Sequence, residues 1–257
     1  MIAAKPRVLV LRAPGTNCDE ETAFAFEQAG GCAERIHIRQ VLESPDVADQ
    51  FQILCLPGGF SYGDDIAAGQ ILANQIRHNL RDIIERFREQ GKLVLGICNG
   101  FQVLIKSGIL GSNGTVPATL TWNDCGRFED RWVHLKVFGD KCPMLQGIDR
   151  MYLPIAHAEG KFVAQDASTL NALEENNQLA LRYANSCESD DISYPANPNG
   201  SQAHVAGMCD ETGRVFGLMP HPERHTDPTH HPRWTRGEAG ERGDGVAVFE
   251  NAVAYFG

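Results

Sequence analysis

Three short, almost continuous apolar runs punctuate the first hundred residues: RVLVLR (7–12), FQILCLP (51–57) and KLVLGIC (92–98), each bounded by Gly, Pro or charged positions. Runs of this length, rich in Val, Ile and Leu, predict parallel strands buried on both faces. The stretches between them carry helical spacing. Residues 19–29 open on Asp19, Glu20 and Glu21 and stop at Gly30 and Gly31, an acidic first turn followed by a glycine stop. Ile76, Leu80, Ile83, Ile84 and Phe87 mark the apolar face of a second helix that ends near Gly91. Strands and helices alternating in this way predict an α/β fold with a doubly wound, mostly parallel sheet flanked by helices.

Beyond about residue 115 the pattern shortens. WVHLKVF (132–138), MYLPIAH (151–157), QLALRY (178–183) and RVFGLMP (214–220) alternate with polar stretches rich in Pro, Asn and Gly, and predict β-hairpins added around the sheet in the C-terminal half. Residues 185–201 have the composition of a linker, but strand-like runs flank them, so they are expected to form a loop within one domain. Helical spacing returns at 243–256 and should close the fold. With no internal repeat, residues 1–257 are expected to form a single domain.

Composition narrows the function classes. A chain of 257 residues with 42% hydrophobic and 22% charged content can bury a full core. Its formal charge of −10 repels phosphate backbones and anionic lipid, so neither nucleic acid nor a membrane surface is an expected partner. No apolar run approaches the roughly 18 residues of a membrane span, and the run before Arg12 is too short for a signal peptide, so a cytoplasmic protein is expected. The eight cysteines include no CxxC pair, which fits neither a zinc knuckle nor a disulfide scaffold.

The candidate chemistry starts at Cys98. In KLVLGICNGFQVLIKSG a buried strand enters Gly96-Ile97-Cys98-Asn99-Gly100 and leaves as a helix, the cysteine form of the strand–turn–helix nucleophile elbow. Such a turn projects its central side chain from the C-terminal edge of the sheet, and a helix N-terminus favours thiolate over thiol. A cysteine in an apolar run is also commonly a packing residue, the role expected of Cys55. His221 in GLMPHPER is the best of nine histidines for a general base: it follows a strand-like run and has Glu223 two residues on, on the same side of an extended stretch. A surface loop with an incidental His and Glu has the same pattern. LPGG (56–59) ends another buried strand, where the N–H groups of Gly59 and Asn99 could converge on one oxyanion, or where Pro-Gly-Gly simply turns the chain. His225, His230 and His231 lie in a Pro-rich polar loop and are expected to be exposed rather than to hold a metal.

LPGG, G-x-C-x-G-x-Q (96–102) and H-P-E (221–223), taken together, resemble the triad-type, class I glutamine amidotransferases. Within them, GGFSYGDD, GICNGFQ, PIAHAEGKF (154–162), YPANPNGS (194–201), GLMPHPER and the terminal GDG and VFENAV segments are similar to the glutaminase subunits of phosphoribosylformylglycinamidine synthase, from Val8 to Phe256. The resemblance implies that Cys98 attacks the side-chain amide of glutamine, His221 moves the proton and Glu223 orients His221. It implies substrate contacts from Gly58, Gln102, Ala156, His157, Ala158 and Glu159. Ammonia passes to a large synthetase subunit, in an assembly that admits a small accessory subunit. No cofactor or metal is expected in this chain: ATP and Mg belong to the partner, and no G-x-x-x-x-G-K-[ST] loop is present.

Two alternatives compete with this reading. A cysteine hydrolase of the related elbow family has His directly after the Cys, whereas position 99 is Asn and Gln102 would be unexplained. A silent regulatory subunit is countered by the presence of all three triad residues. The long segment 225–243 departs from compact members of the family. Its Arg233, Trp234 and Arg236 are expected to contact the synthetase, and the free chain is expected to be weakly active.

Overall fold

The computed structural model describes residues 4–111, 115–186 and 191–257. In chain order it has β1 (Arg7–Arg12), α1 (Asp19–Gln28), β2 (Cys32–His37), α2 (Ile38–Glu43), β3 (Ile53–Leu56), α3 (Gln70–Gln75), α4 (Arg81–Glu89), β4 (Leu93–Ile97) and α5 (Asn99–Lys106). There follow β5 (Ala118–Thr121), β6 (Glu129–Val137), β7 (Arg150–His157), β8 (Lys161–Ala164), α6 (Ala167–Glu175), β9 (Leu181–Ala184), β10 (Val205–Cys209), β11 (Val215–Leu218) and α7 (Val246–Ala254). Nine strands form one sheet in the order β2-β1-β3-β4-β11-β10-β9-β6-β7. Neighbours from β2 to β11 are parallel, and those from β11 to β7 are antiparallel.

The three predicted strands are β1, β3 and β4, and all residues of β3 and β4 are buried. Strand β2, CAERIH, was not legible: it is an edge strand with one buried residue, so nothing demands an apolar run. The helix read from Ile76–Phe87 starts earlier, at Gln70, and passes through a π-helical turn at Ile76–Leu80 before α4. The predicted C-terminal hairpins are present: β6–β7 and β10–β11 pair antiparallel and extend the sheet, while β5 and β8 pair as a separate two-stranded ribbon.

The chain steps one way from β1 to β2 and the other way from β2 through β3 to β4, so right-handed crossovers place α1 opposite α3, α4 and α5. α7 joins α1, with the Phe26 and Phe249 rings meeting edge to face at 4.9 Å. α5 lies directly on the strands because glycine permits it: a Cβ at Gly100 would stand 1.9 Å from the Leu56 carbonyl oxygen. The connections leave β1 and β3 in opposite directions, a switch point of the kind at whose C-terminal strand ends open α/β sheets bind ligands, and β1, β3, β4 and β11 all end on that edge.

Candidate active site

Segments at the ends of β3, β4, β11 and β7 meet there. After β4, Cys98 takes φ 51°, ψ −103°, a left-handed conformation rare for a side-chain-bearing residue and worth roughly 1–3 kcal/mol of strain. Neighbours fix it: its N–H donates to Leu218 O (2.8 Å), and its own carbonyl accepts from Gln102 N (3.1 Å). Sγ lies 3.7 Å from Ala156 O and the residue is only 5% exposed. Asn99 opens α5, which leaves backbone N–H groups directed at the site. Cys55, by contrast, is fully buried in β3, where burial pushes its thiol up.

After β11, His221 donates its N–H to Pro154 O of β7 (2.9 Å), and its ring is buried. His221 Nδ1 lies 2.6 Å from Glu223 Oε1. The pair does not form along an extended stretch as the spacing suggested, because Pro222–Arg224 is a 3-10 turn that folds the carboxylate back onto the ring. Burial by itself would depress the imidazolium, but Glu223 and the sulfurs of Cys98 and Cys18 outweigh it, and the ring's pKa is raised well above its ordinary value. Among the described residues the buried Nε2 has no hydrogen-bond partner.

After β3, Gly59 adopts φ +139°. Gly58 accepts from Cys18 N (3.3 Å), and a Cβ there would stand 2.8 Å from His221 Cε1, so this glycine lets the chain pass beneath the imidazole. The side chains of Asn99 and Gln102 are committed within the protein. Asn99 Oδ1 accepts from Ser61 N (3.2 Å), its Nδ2 donates to Gln102 Oε1 (2.9 Å), and Gln102 Nε2 donates to Glu159 O (2.7 Å). The Glu159 carboxylate pairs with Lys106 Nζ (3.5 Å) and accepts from Ala68 N (3.3 Å). These bonds tie the elbow helix to the loop that follows β7.

Ala156 and His157 end β7, Ala158 opens the loop, and Asn123 holds both. Asn123 Nδ2 donates to Arg127 O and His157 O (both 2.9 Å), which leaves Oδ1 to accept from His157 Nδ1 (3.1 Å). The proton therefore sits on Nδ1, and Nε2 is a buried acceptor without a partner among the described residues. Burial, with the charge of His221 added, pushes the His157 pKa down to about 3. Asn199 Nδ2 supports the loop from behind at Gly160 O (2.8 Å).

Sequence reasoning missed Asn123, which sits in a loop with no periodic signal. It also missed Cys18, whose sulfur lies beside His221. A correction concerns His225. It is buried rather than exposed, because its Nδ1 is held by Tyr152 O (2.8 Å) and its ring packs edge-on to Trp132 at 4.9 Å. His230 is exposed, as expected, and His231 is only partly so. Cys187 lies outside the described residues.

A family model described as a CobB/CobQ-like glutamine amidotransferase domain matches residues 5–256. The subunit PurQ of phosphoribosylformylglycinamidine synthase from Dehalococcoides mccartyi is 47% identical over 255 residues, 98% of each chain. That from Methanococcus maripaludis is 41% identical over 274 residues, covering 100% of this chain and 99% of its own. The chain belongs to the PurQ family of glutamine amidotransferases. Among solved structures, PurLQS from Thermotoga maritima superposes with a TM-score of 0.75 at 32% identity, covering 99% of this amidotransferase and 100% of that chain. Among the described residues of the amidotransferase, no helix is long and apolar enough to cross a membrane.

Proposed function

We propose that this chain is the glutamine amidohydrolase subunit of a phosphoribosylformylglycinamidine synthase in purine biosynthesis, working in the cytoplasm as one domain, residues 1–257. Cys98 attacks the side-chain amide carbon of glutamine, and the oxyanion is received by the N–H groups of Gly59 and Asn99. His221 takes the thiol proton and returns it to the leaving nitrogen. The C–N bond breaks, ammonia departs, and a glutamyl thioester remains for water to hydrolyse to glutamate. Glu223 holds His221 in the orientation this requires. Gly58 and the segment Ala156, His157, Ala158 and Glu159 wall the substrate, with Gln102 fixing that wall to the elbow. Ammonia passes to the synthetase subunit, which carries out the ATP-dependent amination.

The observation that carries this reading is the 2.6 Å contact between Glu223 and a fully buried His221, placed beside a cysteine on a strained elbow. Support for the partner comes from the relatives' names and from the PurLQS structure, which records such an assembly for Thermotoga maritima. Arg233, Trp234 and Arg236 are the docking contacts: they sit on short turns just after the His-Pro-Glu segment, and Trp234 is 51% exposed. Glutamate release from glutamine, measured with the chain alone and with its synthetase partner, tests the reading. Weak hydrolysis that rises on complex formation is expected, and no release in either state would refute it.

A further inference from the structure

Cys18 occupies the N-cap position of α1, and its sulfur lies beside the His221 ring. It is 1% exposed, and the triad chemistry above gives it no part. A Cβ at Gly58 would stand 2.8 Å from His221 Cε1 and 3.1 Å from Cys18 Sγ, so sulfur and imidazole close over the same bare glycine. The donor atoms of Cys18, His221 and Glu223 all lie within 4.8 Å of one another. Such a set suggests a metal site, but the guanidinium of Arg224 donates to Cys18 Sγ at 3.2 Å and puts a fixed positive charge where a cation would sit.

Other bonds define the thiol. Cys18 Sγ donates to Asn17 Oδ1 (3.3 Å) while accepting from Arg224, and burial pushes its pKa up, so a neutral thiol is held in one orientation. Arg224 is itself anchored by Glu21 at 2.8 Å. α1 and the turn after β11 are thereby clamped around the imidazole.

We propose that Cys18 is a positioning residue for the glutaminase reaction, its sulfur seating the His221 ring so that Nδ1 stays on Glu223 and Nε2 stays open to Cys98. The inference rests on the glutaminase reading. Among the described residues, the titratable and charged groups around His221 are Cys18 at the start of α1, Arg224 with its partner Glu21, Glu223, Cys98 of the elbow, and His157 at the end of β7. Of these, Cys18 is one that raises the imidazole's proton affinity without belonging to the triad.

The test compares Cys18→Ala and Cys18→Ser with wild type and Cys98→Ala, each in complex with the synthetase subunit. In Cys18→Ala a misplaced ring should lower kcat about tenfold, with the KM for glutamine nearly unchanged. The limb of the pH–rate profile governed by His221 should move to lower pH, because a neighbour that raises its pKa is gone. Cys18→Ser, which keeps a small polar atom on Arg224, should recover most of the rate and the original pH profile. Wild-type rates and pH profiles in both variants would overturn the proposal. So would a lowered melting temperature with an unmoved pH profile, the mark of a packing role. If wild type releases no more glutamate than Cys98→Ala, the glutaminase reading itself fails, and this proposal with it.

Discussion

Along β4 every residue from Leu93 to Ile97 is buried, whereas along β7 buried and half-buried residues alternate from Arg150 to His157. The two strands belong to the two halves of one sheet, joined by β11, which is parallel to β4 and antiparallel to β10. They hold the site by different means. The parallel half holds Cys98 by close backbone packing, with α5 pressed onto β3 and β4 where no Cβ fits. The antiparallel half holds its loop by hydrogen bonds, through Asn123, Asn199 and the tautomer of His157. A steric lock fixes a nucleophile rigidly and tolerates no added atom. A hydrogen-bonded wall responds to protonation.

The strongest test removes the proposed nucleophile from the rigid half. Cys98→Ala should cut glutamate release by about ten-thousand-fold or more while the melting temperature stays near that of wild type. Substantial activity in that variant would end the assignment of the parallel half to the nucleophile. Glu223→Gln keeps the shape of the seam but loses the charge that orients His221, and a drop in kcat of roughly a thousandfold is expected in the same assay.

Gly100→Ala attacks the lock itself. With Leu56 O at 1.9 Å from the new Cβ, a loss of about 3 kcal/mol in urea unfolding is expected, and a variant as stable as wild type would show that α5 can slide.

His157 tests the wall. Its folded pKa of about 3 lies below the ordinary 6.5, so the unfolded chain binds the extra proton between these values. The stability it contributes is therefore full above about pH 6.5 and lost as pH falls toward 3, at up to about 1.4 kcal/mol per unit. In His157→Gln the pH dependence of urea unfolding over that window should be shallower by about one proton. An unchanged slope would mean that other groups carry the acid sensitivity. The smallest effect is expected outside both halves: replacing Arg233, Trp234 and Arg236 with Ala should weaken synthetase binding by around 1–2 kcal/mol and leave the unpartnered glutaminase rate unchanged. Unaltered binding would confine that loop to a solvated role.

The difference between the halves also explains what could be read in advance. Strands β1, β3 and β4 were legible because burial on both faces demands unbroken apolar runs, and a strained elbow announces itself by glycines at fixed offsets from Cys98. The chain's own letters determined the parallel core, the candidate nucleophile and the His-Pro-Glu segment. Strand β2 and Asn123 were not legible, since an edge strand and a loop anchor need no periodic pattern. Nor could local spacing show that Pro222–Arg224 turns the carboxylate of Glu223 onto His221, that His225 is buried against Trp132, or that Cys18 closes over the same ring. These contacts join residues as much as two hundred positions apart, and only the strand order of the sheet, with its parallel strands ending on one edge, decides which of them meet.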